Sequence, residues 1–122
     1  MKIRIKGNSI RFRLSRPEVA SLVNTGYLEE QTLFAVNKFV YALRASGDES
    51  ELSATFEEGK MTVLIPKMMI VDWPENTTVG FSSHQQLTAT NSLHLLVEKD
   101  FTCLDETPED QSDHYDNPNK TC

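Results

Sequence analysis

The sequence predicts an α+β domain whose short antiparallel strands form a closed or half-closed barrel. Three observations predict it. Apolar residues alternate with period two along most of residues 1–101, turn residues punctuate the alternation, and the chain matches itself when slid by 51 residues. A length of 122 residues suits one domain able to bury a core without a disulfide or a metal.

Ile3 and Ile5 alternate with Lys2, Arg4 and Lys6, as in a strand with one buried face. Gly7-Asn8 suits a tight hairpin turn, after which Ile10, Phe12 and Leu14 alternate with Arg11 and Arg13. Ser15 is placed to cap a helix with Pro17 and Glu18 in its first turn. Val19, Leu22 and Val23 form the apolar stripe of that helix, and Gly26 ends it in the left-handed conformation. Strands follow at about 27–36 and 38–45, and Ser46 to Ser50 reads as a linker. The pattern then restarts. Leu52, Ala54 and Phe56 alternate, Glu58-Gly59 turns, and Met61, Val63 and Ile65 alternate. Pro66 opens a short helix from Lys67 to Trp73, which Pro74 breaks. Val79 and Phe81 begin another strand, and Leu93, Leu95 and Val97 mark the last.

The 51-residue slide sets Ile10 on Met61, Phe12 on Val63, Leu14 on Ile65, Val19 on Ile70 and Leu22 on Trp73. The expectation is a pseudo-two-fold repeat of strand-strand-helix-strand-strand halves, about 1–46 and 51–101, inside a single domain of residues 1–101. Its core is expected to hold Ile3, Ile5, Ile10, Phe12, Leu14, Val19, Leu22, Phe56, Val63, Ile65, Trp73, Val97 and Phe101. Residues 102–122 change composition and read as an acidic, irregular C-terminal tail.

Charge is distributed unevenly. The net −6 argues against a general nucleic-acid or membrane binder, yet residues 1–16 carry +6 and residues 98–122 carry −6. No apolar run reaches the ~18 residues of a membrane span. Met1 to Lys6 is charged rather than apolar, so a cytoplasmic protein with reduced thiols at Cys103 and Cys122 is expected.

Three constellations are candidates for chemistry. Lys2, Arg4, Lys6, Arg11 and Arg13 share one face of the first hairpin and could bind an anion, or the acidic segment Asp105 to Asp116 of the same chain or of a partner subunit. Cys103, Asp105, His114 and Cys122 have donor types that suit zinc, without the tight spacing of a structural site. His94, Glu98 and Asp100 share a face of the last strand, where a histidine and carboxylates could act as acid and base. No pocket, phosphate-binding glycine loop or nucleophile motif accompanies them, so no catalytic residue and no cofactor is assigned.

Two resemblances rest on local motifs. Met1-Lys2-Ile3-Arg4-Ile5-Lys6-Gly7-Asn8-Ser9-Ile10-Arg11, Gly26-Tyr27-Leu28-Glu29-Glu30, Val97-Glu98-Lys99-Asp100-Phe101 and Glu109-Asp110-Gln111-Ser112-Asp113 resemble a domain-of-unknown-function family of small Bacteroidetes proteins. That resemblance implies a bacterial, cytoplasmic protein and supplies no activity. Lys6 to Leu14, with the strand-then-proline step from Lys60 to Pro66, is similar to swapped-hairpin AbrB/MazE-type regulators and antitoxins. That second resemblance implies a dimer binding DNA through basic residues. The residues themselves favour a non-enzymatic binding or interaction module, which could be a homo-oligomer. The alternatives are an enzyme or sensor for a phosphorylated or other anionic small molecule, and an AbrB-like regulator.

Overall fold

The computed structural model describes residues 1–101. Strands β1 (Lys2–Lys6) and β2 (Ser9–Leu14) form the first hairpin, with Gly7 at φ 54 in the turn. Helix α1 (Arg16–Thr25) follows. Its capping box is complete: Ser15 Oγ accepts from the Glu18 N–H, and the Glu18 carboxylate accepts from the Ser15 N–H at 2.8 Å. Gly26 at φ 77 closes the helix by donating its N–H to the Leu22 carbonyl. Strands β3 (Tyr27–Leu33) and β4 (Lys38–Ser46) form the second hairpin, β3 ending three residues short of the sequence expectation. Strands β5 (Ser53–Glu57) and β6 (Lys60–Pro66) form the third. The helix expected from Lys67 to Trp73 is instead split into α2 (Lys67–Ile70) and a 3-10 turn at Trp73–Glu75. Pro66 gives α2 no side-chain cap, and Asp72 leaves helical geometry at ψ 6. Strands β7 (Gly80–Gln86) and β8 (Ser92–Lys99) complete the described chain.

The strands make two separate four-stranded sheets rather than the expected barrel. Sheet A has the order β1-β2-β8-β7 and sheet B the order β3-β4-β6-β5. Each sheet takes one hairpin from residues 2–46 and one from residues 53–99. The expectation of purely antiparallel pairing also fails, because β2 pairs with β8 and β4 with β6 in parallel. The cause is chain direction. Each helical connection returns the chain from the same end, so all four even-numbered strands run towards the helices and can pair with one another only in parallel.

The sheets face each other across one core. Phe12, Leu14, Leu22, Leu43, Val63, Ile65, Trp73, Leu95 and Val97 are buried in it. Trp73 donates its indole N–H to the Thr78 carbonyl at 2.8 Å and meets the Phe81 ring edge-on at 5.0 Å. Along one open seam, Gln85 and Ser83 of β7 bond to the backbone of β5 and of Leu52. Along the other, the Met1 ammonium lies against Glu18 and, at 2.8 Å, Glu30 of β3.

Nine expected core residues are buried: Ile10, Phe12, Leu14, Val19, Leu22, Val63, Ile65, Trp73 and Val97. Ile3 is half-buried, whereas Ile5, Phe56 and Phe101 are 57%, 65% and 60% exposed. Ile5 and Phe56 do face inwards, opposite Ile10 and Met61, but at the end of the sheets that no helix covers. Phe101 lies beyond the end of β8, where pairing stops.

Candidate functional site

Strand periodicity and register place the five cations of the first hairpin on the outer face of sheet A. In β1 and β2, Lys2 stands opposite Arg13, Arg4 opposite Arg11, and Lys6 opposite Ser9. The parallel pairing with β8 extends each row: Ser9 meets His94, Arg11 meets Leu96, and Arg13 meets Glu98. The antiparallel pairing with β7 completes them with His84, Ser82 and Gly80. One row therefore reads Lys6, Ser9, His94, His84, the next Arg4, Arg11, Leu96, Ser82, and the third Lys2, Arg13, Glu98, Gly80.

The charges are neutralised within the sheet more than the sequence suggested. Glu98 accepts from Arg13 Nε at 2.8 Å and lies 3.6 Å from Arg11 Nε. Asp100 pairs with Lys2 at 3.0 Å. These two carboxylates, read from sequence as partners of His94 in acid-base chemistry, instead serve as counter-ions to the basic face. His94 is on the same face as Glu98 but one row beyond Leu96, and no ion pair joins them among the described residues. Arg4 and Lys6 have no acidic partner among the described residues, and Arg11 Nη1, itself buried, has no hydrogen-bond partner there.

His84 escaped the sequence reading. Its ring lies parallel to that of His94, 4.4 Å away, and Ser9 Oγ approaches His94 Nδ1 at 3.5 Å. Val79 and Phe81 signal the start of a strand, but the run Ser82-Ser83-His84-Gln85-Gln86 lacks apolar alternation, so nothing local fixes its extent or its register. The cross-strand partner of His94 follows only from tertiary pairing.

A concave region of about 360 Å³ lies between the start of α1, the 3-10 turn and the end of β8, lined by Arg16, Val19, Asn76 and Lys99 among others. Lys99 Nζ closes one side by donating to the Asn76 carbonyl at 2.7 Å, 5.8 Å above the Trp73 ring.

No group of three metal-ligating side chains occurs among the described residues. The candidate metal set Cys103, Asp105, His114 and Cys122, like the acidic segment Asp105 to Asp116, lies outside the described residues. No helix among the described residues is long and apolar enough to cross a membrane.

No curated protein and no solved structure matches the chain. A family model does, over residues 1–119. The chain therefore belongs to a family of unknown function, DUF7009, and the model covers both sheets and nearly all of the acidic C-terminal segment.

Proposed function

We propose that this chain is a non-enzymatic binding module that recognises a multivalent anion through the outer face of sheet A, with Arg4, Lys6 and Arg11 as principal contacts and Lys2 and Arg13 flanking them. The observation that carries this reading is the clustering of five cations on one sheet face, with Arg4 and Lys6 unneutralised there by any described residue. A sheet face with a row of partly paired cations suits the reversible docking of several carboxylates or phosphates at once. The acidic residues Asp105 to Asp116 of the same chain, or of another copy, are one partner with the right charge.

The alternative of an enzyme or sensor for an anionic small molecule draws support from the Ser9–His94 contact beside Lys6. The AbrB-like reading would make the same face a DNA-binding surface. Binding to tripolyphosphate, an acidic peptide and a DNA duplex, each at low and high salt, separates the three. The proposal expects salt-sensitive binding of the peptide or of tripolyphosphate, falling about tenfold in Arg4→Ala/Lys6→Ala. Turnover of a phosphorylated substrate would favour the enzyme, and selective DNA binding the regulator. No binding of any of the three would overturn the proposal.

We also propose that the two halves are structural repeats within one domain of residues 1–101. Exchanging β1–β4 for β5–β8 converts one sheet order into the other. Hydrogen bonds recur at matched places. The Val40 N–H donates to the Gly59 carbonyl at 2.9 Å as the His94 N–H donates to Asn8 at 3.0 Å, and Ala45 bonds to Gly26 as Lys99 bonds to Val79.

A further inference from the structure

The four hairpin turns all lie at one end of the two sheets. The odd-numbered strands run towards that end and the even-numbered strands leave it. The contacts of Ser83 with Leu52 and of Gln85 with Ala54 set β7 alongside β5 in the same direction, so the turns of both sheets coincide. The helices are at the opposite end, where Leu22 and Trp73 seal the core. Nothing among the described residues seals the turn end.

The uncovered end is apolar. Ile5 and Phe56 face into the space between the sheets yet are more than half exposed, and Phe39 stacks on Phe56 at 6.2 Å. The turns beside them add Phe34, Val36 and Leu87, all exposed. Exposed apolar groups gathered in this way, with charged residues at the rim, mark an interaction surface.

The rim indicates the occupant. The β1–β2 turn brings Lys6 to one side of the apolar end, and the β5–β6 turn brings Glu57 and Glu58 to the other. None of these three has an ion pair among the described residues. With Lys6 on one side and Glu57 and Glu58 on the other, beside Lys38 at the start of β4, an apolar centre flanked by opposite charges is complementary to itself under a two-fold rotation. We infer that a second copy of this chain docks end to end on this surface. Ile5 and Phe56 then pack against their counterparts, and Lys6 of each copy meets Glu57 and Glu58 of the other. The inference does not rest on anion binding: Ile5 and Phe56 lie between the sheets, and Lys6 is the one residue it shares with the anion-binding face.

Sedimentation velocity on the full chain tests it, with circular dichroism to verify that each variant folds. The wild type is expected to be a dimer. Phe56→Asp is expected to be a folded monomer, since the side chain is already largely exposed. Glu57→Lys/Glu58→Lys is expected to weaken the dimer about tenfold or more, and adding Lys6→Glu to that variant is expected to restore it. A wild type that stays monomeric at every concentration overturns the inference. So does a dimer indifferent to the charge reversal, which reads out the interface even if Phe56→Asp fails to fold.

Discussion

Sheets A and B share an inside and differ outside. Matched positions in the core are apolar in both: Phe12 and Val63, Leu14 and Ile65, Leu22 and Trp73, Val97 and Leu43 are all buried. On the outer faces, Lys2, Arg4, Lys6, Arg11 and Arg13 of sheet A correspond to Ser53, Thr55, Glu57, Thr62 and Leu64 of sheet B. His84 and His94 correspond to Gln31 and Val40. In sheet B the central outer charges pair locally, with Lys60 3.2 Å from Glu29 and both Lys60 and Arg44 over the Tyr27 ring, while Glu57 at the sheet's edge has no ion pair among the described residues. Packing dictates the inside of each sheet and is indifferent to the outside. A basic face on one sheet alone is therefore no requirement of the fold, and that asymmetry is what supports a binding role for sheet A.

The largest effects should come from breaking the shared interior. Trp73→Ala is expected to cost about 3–5 kcal/mol and Leu22→Ala about 2–5 kcal/mol, as read from denaturant midpoints. Similar losses at the two matched sites would indicate that both halves support one cooperative core. A variant that loses only its own half would separate them.

Gly80→Ala should follow in size. A Cβ at Gly80 would lie 2.5 Å from the Val97 carbonyl oxygen and 2.7 Å from Glu98 Cβ, so strand β7 must shift. A loss of about 1–3 kcal/mol is expected from thermal melts. Because Glu98 holds Arg11 and Arg13, the same variant should alter anion binding, whereas substitution at the matched Tyr27 of sheet B should not.

The turns offer a gain. Glu58 sits at φ 51, where Gly7 occupies the matched place in the first hairpin at φ 54. Glu58→Gly relieves the left-handed side-chain clash and is expected to stabilise the fold by about 1 kcal/mol. An unchanged or lower melting temperature would show that the side chain contributes more than the strain costs.

The two helical connections differ in their response to acid. Burial alone would raise the Glu18 pKa. The hydrogen bonds it accepts from the Met1 ammonium and from Ser15 outweigh that effect and hold it below the usual glutamate value. A carboxylate with a lowered folded-state pKa contributes stability above its ordinary range, and loses it as pH falls through the lowered value. Glu18→Gln should therefore flatten the acid limb of the stability curve while lowering stability at neutral pH. Met69, at the matched position before the second helix ends, has no such role and Met69→Gln should leave the slope intact.

The sequence was a good guide wherever one face of an element decides its neighbours. Alternation at Ile10, Phe12 and Leu14 located a strand and its buried side, and Ser15 with Glu18 located the helix start. It was a poor guide where pairing between distant segments decides. The parallel contact of β2 with β8 brings Glu98 to Arg11 and Arg13, and nothing near any of the three announces it. Likewise, Ile5 and Phe56 have the alternation of core residues, but whether a helix covers them depends on which end the turns occupy. The His84–His94 stack is legible only from the register of β7 with β8.

The asymmetry between the two outer faces is tested most directly by amide chemical-shift mapping during titration with tripolyphosphate. Binding through sheet A predicts saturable shifts at Arg4, Lys6, Ser9, Arg11 and His94, reversed by salt, with the matched residues Thr55, Glu57, Lys60, Thr62 and Val40 unmoved. Shifts of equal size on both sheets, or none on either with tripolyphosphate and with an acidic peptide alike, would contradict it.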